Sequence, residues 1–561
     1  MTEFATVRWE LPDTGHIPVD KLAGVILERR GFQKKDTTTL LAPRYDSLGD
    51  PFSLVDMDRA VRVLLDARQA NKKVIIYGDY DIDGLTASSV LSDVCMSLGI
   101  AHEVYIPDRF EEGYGIHIKA IKQLHQQGAS VIVSVDCGSS ATEAARVAGE
   151  LDMKLVITDH HTLVSDELEG ATAHINPLRE KNTYPEKYLA GVGVAFALAR
   201  ALQQASNFVL PAGQEKWLLD LVALGTICDV VPLVGENRVL AYYGLQVLRK
   251  TRRPGLRALA AVSGVDVAKI EAEDLGFKFG PRLNAAGRLE HAQYALQTLL
   301  ATEYTTAMRS AEHLQKLNVR RQADTRTIQD QAREQALQHI DDPVLVLTSD
   351  TWSHGIVGLV ASRISEEFRR PAVLLQTEGE LAKGSARSYA DISIIQVMRE
   401  HHELFEKYGG HAAAAGMTLR ADCIEDLRDG LCATALELGE DAWTKNERID
   451  AWLQPEYVTM AGFDAIHKLE PTGRDHPGVR FVLDGEITSI RPVGADGDHF
   501  QLSVRFEGHE QRMIAFGAAR KWPELEVGQT IRAVVRLSRS EWQGTTRIEV
   551  MLLDILENMD E

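Results

Sequence analysis

Thiols are scarce in this chain. Its 561 residues include only five cysteines, an odd number, and no two form a C-x-x-C pair. That pattern argues against a disulfide framework and against a zinc finger, and it fits a reducing compartment. Long apolar runs are missing too. The most apolar helical stretch, residues 189–202, contains Arg200 and falls short of the roughly 20 residues that cross a bilayer. The opening MTEFATVRWELPDTG lacks a basic segment followed by an apolar core, so no secretory signal is expected and a cytoplasmic protein is. No internal repeat and no low-complexity tract is visible. Positive charge is also in deficit: 61 Lys and Arg face 81 Asp and Glu, a net charge of −20. At first reading this argues against nucleic acid as a partner. Carboxylates that hold cations are counted as negative in such a sum, however, and phosphate contacts need only a local basic track.

What is present is ordinary soluble composition, 45% hydrophobic and 25% charged, over a length that calls for three or four domains. Residues 1–50 read as a small helical lead-in. From Lys72 short apolar runs alternate with amphipathic ones. KKVIIY (72–77), EVYI (103–106), SVIVSVD (130–136) and KLVITD (154–159) read as buried strands, and residues 86–98, 117–127 and 142–151 as helices between them. That alternation implies a parallel sheet with crossover helices, in a domain expected over 51–300. Residues 301–340, long, polar and free of Gly and Pro from 303 onward, read as one connecting helix. A second α/β unit is expected over 341–440, with strands near 344–347 and 372–375. Residues 441–561 comprise a linker and an all-β segment, where Phe500, Leu502, Val504 and Phe506 alternate with polar residues, as in a small closed barrel.

Acidic residues gather where the strands end. GDYDIDG (78–84) places Asp79, Asp81 and Asp83 at a spacing of two; in an extended segment that spacing would point all three to one side. Alternative readings are a polar turn with a helix cap, or a calcium loop, although an EF-hand needs a Glu at the twelfth position and a preceding helix. VDCG (135–138) ends another strand with Asp136. Asp159–His160–His161 ends a third, and two adjacent histidines there are unusual; a surface pair is the bland alternative. Asp229 follows the apolar helix LLDLVALGTIC, where a simple turn residue would also fit. Three of these four clusters end successive or nearby parallel strands, so the fold would bring them to one rim, the edge at which open parallel sheets bind ligands. Oxygen and imidazole donors without thiolates suit manganese or magnesium better than zinc. Two such ions can clamp the attacking and leaving oxygens of a phosphoryl displacement.

These residues in this order resemble the DHH phosphoesterase superfamily, and most of all its bacterial exonucleases specific for single-stranded DNA. The likeness extends to PDRFEEGYG (107–115), LAGVGVAFALA (189–199), LLDLVALGTICDVVPLVGENR (218–238), GFKFGPRLNAAGRL (276–289), WSHGIVGLVASRI (352–364), KGSARS (383–388) and GGHAAAAG (409–416). It is strong over about residues 50–420. It implies a parallel-sheet DHH domain, a second α/β DHH-associated domain joined to it by a long helix, and a C-terminal OB-like barrel. It implies two ions, Mn2+ or Mg2+, held by Asp79, Asp81, Asp83, Asp136, His160 and Asp229, with Asp136 bridging. Asp159 would orient a histidine, and His161 would face the scissile phosphate. Simpler members carry a histidine where this chain has Tyr77, so either Tyr77 or Asp79 stands at the first ligand position.

For the strand, the candidates are Arg109, Arg282 and Arg288, then Ser385, Arg387 and Ser388 in KGSARS, and Gly410 and His411 in GGHAAAAG, where small residues let backbone N–H groups approach a ligand. Each arginine read alone would be a surface ion pair. The C-terminal segment 479–557 has 10 Lys and Arg against 12 Asp and Glu, and it interleaves Arg505, Arg512, Arg532, Arg536, Arg539 and Arg547 with Phe500, Phe516, Trp522 and Trp542. Such a mixture tracks a backbone and stacks bases, unless the aromatics are core. The residues point to two-metal hydrolysis; the resemblance implies single-stranded DNA as substrate, 5′ to 3′ polarity, and single-strand-binding protein and a helicase as partners, with no membrane. A DHH phosphodiesterase for short oligoribonucleotides or cyclic dinucleotides, and an inactive replication scaffold, are the alternatives. The long chain and extra barrel speak against the first, and the filled acidic positions against the second.

Overall fold

In a computed structural model, residues 4–556 are described apart from 207, 208, 210, 495, 496, 543 and 544. The chain divides into two compact units. One comprises residues 42–322 with 471–477; the other comprises 1–41, 323–470 and 478–561.

The first unit is built on five parallel strands, β1 (Val74–Gly78), β2 (His102–Tyr105), β3 (Val131–Val135), β4 (Lys154–Thr158) and β5 (Ala173–Ile175), in the order β2-β1-β3-β4-β5. The crossovers from β1 to β2, β2 to β3 and β3 to β4 carry α1 (Ile82–Leu98), α2 (Ile118–Gln126) and α3 (Thr142–Glu150), and α4 (Gly191–Ala205) and α5 (Leu219–Cys228) follow the sheet. Every residue of β1 and β3 is buried, as expected of strands covered on both faces. One core packs α1, α4 and α5 against the sheet through Val90, Val94, Val192, Phe196 and Val222. The other packs α2 and α3 through Ile121, Leu124 and Ala148. α1 is apolar nearly all round because α4 and α5 both lie against it. The strand order reverses between β1 and β3. Their C-terminal ends are in register, Gly78 opposite Val135 and Val135 opposite Thr158. Asp79, Asp136 and Asp159, each one residue further on, therefore fall at the topological switch point.

α1 begins at Ile82, four residues before the expected start. GDYDIDG is consequently not extended. Asp79 ends the strand side, Asp81 is the helix N-cap and Asp83 lies in the first turn. The three carboxylates converge through a strand–turn–helix transition, not through strand alternation.

In the second unit, a five-stranded sheet contains Leu345–Ser349, Ala372–Glu378, Leu381–Arg387, Phe405–Gly410 and Ala414–Arg420. The helix Tyr304–Gln338 precedes it; at 35 residues it is roughly 50 Å long. A barrel is formed by Phe481–Val493, His499–Phe506, His509–Ala515, Thr530–Trp542 and Thr545–Leu556, and it is closed by antiparallel pairing of the first strand with the fourth. The N-terminal residues are more than a helical lead-in. Thr6–Glu10 is a strand that pairs with Thr444–Arg448, and Leu22, Ile26 and Leu27 share the barrel's core with Phe481, Leu483 and Val504. Among the described residues no helix is long and apolar enough to cross a membrane. Because Ile26 is fully buried in that shared core, Ile26→Ala is expected to destabilise the barrel-containing unit by about 2–5 kcal/mol. Urea unfolding followed by tryptophan fluorescence would check it; an unchanged midpoint would mean the N-terminal helix contributes nothing there.

Candidate metal centre

Asp79, Asp83, Asp136 and Asp159 are each at most 4% exposed. Burying one unpaired carboxylate costs several kcal/mol, so each must be explained. Asp159 is the satisfied one. Its Oδ1 accepts from the His160 amide at 2.8 Å, the His161 amide at 3.2 Å and His161 Nδ1 at 2.8 Å, and its Oδ2 accepts from the Ser139 amide at 2.8 Å. Burial alone would raise its pKa, but the His161 hydrogen bond and the charge of His161 outweigh it, and the carboxyl is held well below the usual range.

The remaining carboxyls are under-satisfied. Burial, reinforced by neighbouring aspartates, raises Asp79, Asp136 and Asp229 far above ordinary carboxylates. Asp83 is pushed up to about 7 by burial and Asp81. What relief it has comes from the amino end of α4, where the Gly191 and Val192 amides donate to its two oxygens. Asp79 Oδ1, Asp136 Oδ1 and His160 Nε2 are buried with no hydrogen-bond partner. His160 Nε2 lies 3.2 Å from Asp136 Oδ1, 3.7 Å from Asp229 Oδ2 and 3.8 Å from Asp83 Oδ2. Burial, then His161, lowers the His160 imidazole to about 4, so at neutral pH the ring is uncharged and brings no positive charge to the three carboxylates around its Nε2. Carboxylates crowded in this way repel one another unless a cation lies among them. The donor atoms form overlapping groups, Asp79–Asp81–Asp136, Asp83–His160–Asp229 and Asp136–His160–His161, with the atoms of each group within 4.8 Å of one another. Asp136 belongs to two of them. The set fits two hard or borderline cations held by oxygen and imidazole.

The backbone is shaped around this cluster. Asp136 is at φ +61, a strained value for a side-chain-bearing residue. A Cβ at Gly191 would lie 2.7 Å from Asp136 Cγ, so only glycine lets α4 approach closely enough to aim its amides at Asp83. Tyr77, the other candidate for the first position, turns away from the cluster. It is fully buried among the residues packed beneath α2 and α3, and its hydroxyl donates to the Gly115 carbonyl at 3.1 Å.

Of the expected strand contacts, Arg109 stands over the Tyr80 ring at 5.1 Å and its charge reaches Asp79. Arg282 is engaged within its own unit, with Gln315 and the Lys278 carbonyl. Arg288 is half-buried, and its charge reaches Tyr80. In the second unit Ser385 and Arg387 share a strand, and Arg387 donates to Ser385 Oγ, at 2.5 Å, and to Ser362 Oγ, at 3.1 Å. Arg387 is opposite Ala414, beside the exposed turn that carries Gly410 and His411. The Ser388 amide donates to the Ala413 carbonyl, and its hydroxyl to Ile392. In the barrel Phe500 and Trp522 pack against the core, while Phe516 is half-exposed; the Trp542 side chain is outside the described residues. Arg505 pairs with Glu486 and Arg532 with Asp484.

Three groups escaped the sequence reading. Tyr114, in PDRFEEGYG, places its hydroxyl 3.0 Å from His161 Nδ1. Arg474 belongs to a distant segment, 471–477, that docks on the first unit: its carbonyl accepts from the Leu233 amide at 2.8 Å, and its charge eases Asp229. Ser139, His174 and Asn176 form a buried polar chain behind Asp159. Only Tyr114 lies in a stretch whose motif could have drawn attention to it.

A carboxylate and imidazole cluster at the switch point of a 2-1-3-4-5 sheet, followed by a second α/β sheet and a closed barrel, defines a DHH-type phosphoesterase. The family models agree: "DHH family, N-terminal domain" matches residues 73–226, "DHHA1 domain" 341–436 and "RecJ OB domain" 449–554. The single-stranded-DNA-specific exonuclease RecJ of Bacillus subtilis is 35% identical, over 98% of this chain and 70% of that one. RecJ of Escherichia coli is 33% identical, over 90% of each. The crystal structure of Thermus thermophilus RecJ in complex with Mn2+ superimposes with a TM-score of 0.84 at 28% identity, covering 98% of this chain and 80% of that one. The chain belongs to the RecJ family.

Two outcomes follow from the site. Gly191→Ala would force Asp136 aside, and metal-dependent hydrolysis is expected to fall by about 10–100-fold; a rate within a few-fold of the parent's would refute the close-approach argument. The second concerns pH. A carboxyl whose folded pKa exceeds its unfolded value of about 3.9 binds more protons when folded, so its stabilising effect is present at low pH and lost as pH rises through the folded value. His160 and His174 act in the opposite sense, but four raised carboxyls oppose two imidazoles. The Tm of chelator-treated protein is therefore expected to fall from about pH 5 to 8, with manganese restoring most at the upper end. A metal-free Tm that rises across that window would contradict the geometry.

Proposed function

We propose that this protein is a single-strand-specific DNA exonuclease, acting in DNA repair and recombination, that works 5′ to 3′ and releases 5′-mononucleotides. The observation that carries the reading is the cluster of unpartnered buried carboxylate and imidazole atoms at the switch point, in a chain that matches RecJ exonucleases over nearly its whole length. Asp79, Asp81 and Asp136 would hold one Mn2+ or Mg2+, and Asp83, His160 and Asp229 the other, with Asp136 between them. Bound divalent cations supply Lewis acidity toward a phosphodiester and activate water. The chain's own residues do the rest. Asp159 fixes the His161 ring through Nδ1 and leaves Nε2 to face a phosphate oxygen. Arg109, Arg282 and Arg288 offer cationic contacts in the first unit. Ser385, Arg387, Ser388, Gly410 and His411 are the candidates for holding the strand in the second, with the barrel extending the track. The reaction breaks a P–O3′ bond, with water adding to phosphorus and the 3′ oxygen leaving as a hydroxyl. A cytoplasmic site of action, with single-strand-binding protein and a helicase as partners, completes the proposal.

The short-substrate alternative lacks any use for the barrel. The scaffold alternative leaves several buried carboxyls without a purpose.

The test is digestion of long single strands labelled at the 5′ or the 3′ end, with manganese, magnesium or chelator. Early release of the 5′ label as a mononucleotide, only with metal, is expected, and Asp136→Ala should lower the rate by about 100-fold or more. Faster turnover of dinucleotides than of long strands, or equal early loss of both labels, would overturn the proposal.

A further inference from the structure

Behind the metal centre lies a buried polar chain that no step above uses. His174, in β5, is 2% exposed, in a strand whose other residues, Ala173 and Ile175, are apolar and equally buried. Its Nε2 lies 3.0 Å from Ser139 Oγ. Asn176 Nδ2 donates to the same Oγ at 2.9 Å and to the His161 carbonyl, also at 2.9 Å, while Asn176 Oδ1 accepts from the Leu178 amide at 2.9 Å. The Ser139 amide donates to Asp159 Oδ2 at 2.8 Å. Backbone groups lock the other end. The His174 amide donates to Asp56 Oδ2 at 3.2 Å and its carbonyl accepts from Arg179 at 2.6 Å, and Arg179 and Asp56 are themselves 2.7 Å apart.

Ser139 Oγ is the shared member of this chain. Asn176 uses one amide hydrogen on it and the other on the His161 carbonyl, and His174 Nε2 closes the chain from the far side. Burial together with the nearby Arg179 favours the uncharged imidazole. Removing the imidazole leaves the Ser139 hydroxyl to turn and compete with Asn176. His161 is thus held at its carbonyl by Asn176 and at its amide and ring by Asp159, with the Tyr114 hydroxyl 3.0 Å from Nδ1.

We propose that His174 is a positioning residue for the reaction, fixing His161 against the substrate phosphate through Ser139 and Asn176. This rests on the exonuclease reading, since it presumes that His161 serves hydrolysis. Leucine is close to histidine in size but cannot hydrogen-bond, so His174→Leu isolates the hydrogen bond from packing; His174→Gln restores a polar partner for Ser139.

With long single-stranded DNA and manganese, His174→Leu is expected to lower kcat about tenfold, the lower end of what orienting partners at metal sites contribute. KM and the manganese half-saturation should stay within twofold. Ser139→Ala should match it, the double variant should be no worse than either, and His174→Gln should recover most of the rate. In a His161→Ala background His174→Leu should cost nothing further. A kcat within twofold of the parent's for both His174→Leu and Ser139→Ala would overturn the proposal. So would multiplying losses in the double variant, or a further tenfold loss in the His161→Ala background. Should His174→Leu not fold, Ser139→Ala and its combination with His161→Ala carry the same decision. An inactive parent protein would instead sink the exonuclease reading.

Discussion

Electrostatic repulsion among aspartates packed at the end of a parallel sheet is the constraint from which the rest of this structure follows. In water such groups would cost one another about 1 kcal/mol per pair at close range; in a buried site the same pairs cost several times more. Here Asp79, Asp83 and Asp136 are withdrawn from solvent, beside the partly covered Asp229, with almost no positive charge among them. A fold that held them for packing alone would be selected against, because an apolar residue of similar volume gains roughly 1.5–3 kcal/mol from the same burial. The arrangement has the donor chemistry of a cation holder, and its surroundings fit that role. The amides of α4 ease Asp83, Asp159 bonds the His161 ring, and His160 Nε2 is turned inward without a hydrogen-bond partner.

The same logic resolves the conflict between the charge of the chain and its substrate. A net charge of −20 is carried by the whole surface. The cluster itself is a large local negative charge that two divalent ions would offset, and Arg109 and Arg474 lie close enough to temper Asp79 and Asp229. A polyanion meets the local field, and the total charge acts mainly through long-range steering, which salt screens within about 10 Å.

Much of this was readable in advance because period and position carry it. The runs KKVIIY, SVIVSVD and KLVITD contain buried strands, and the aspartates at or just past their ends, Asp79, Asp136 and Asp159, stand where a parallel sheet exposes its functional edge. The start of α1 is less plain in the sequence, which admits a polar turn with a helix cap beside the extended reading. An alternation of three aspartates matches a strand, but Asp81 takes the amides of Asp83 and Gly84 as a helix cap, and this local bond wins. The lead-in at residues 1–50 likewise hides its partner, since nothing local in Ile26 says that it will share a core with Phe481. Ser139, His174 and Asn176 were invisible for a related reason: 35 residues separate Ser139 from His174, and only the pairing of β3 with β4 and of β4 with β5 brings them together.

Because residues 17–40 share the barrel's interior, the first helices made have no permanent partner until nearly the last strands leave the ribosome. At ordinary elongation rates that interval is on the order of half a minute or more. The unit that carries the aspartates has all but a seven-residue loop, 471–477, in one continuous stretch and can close during synthesis, while an apolar amino-terminal segment waits uncovered. Premature contacts of that waiting segment, with chaperones or with other nascent chains, are thus a cost this connectivity imposes on every molecule synthesised.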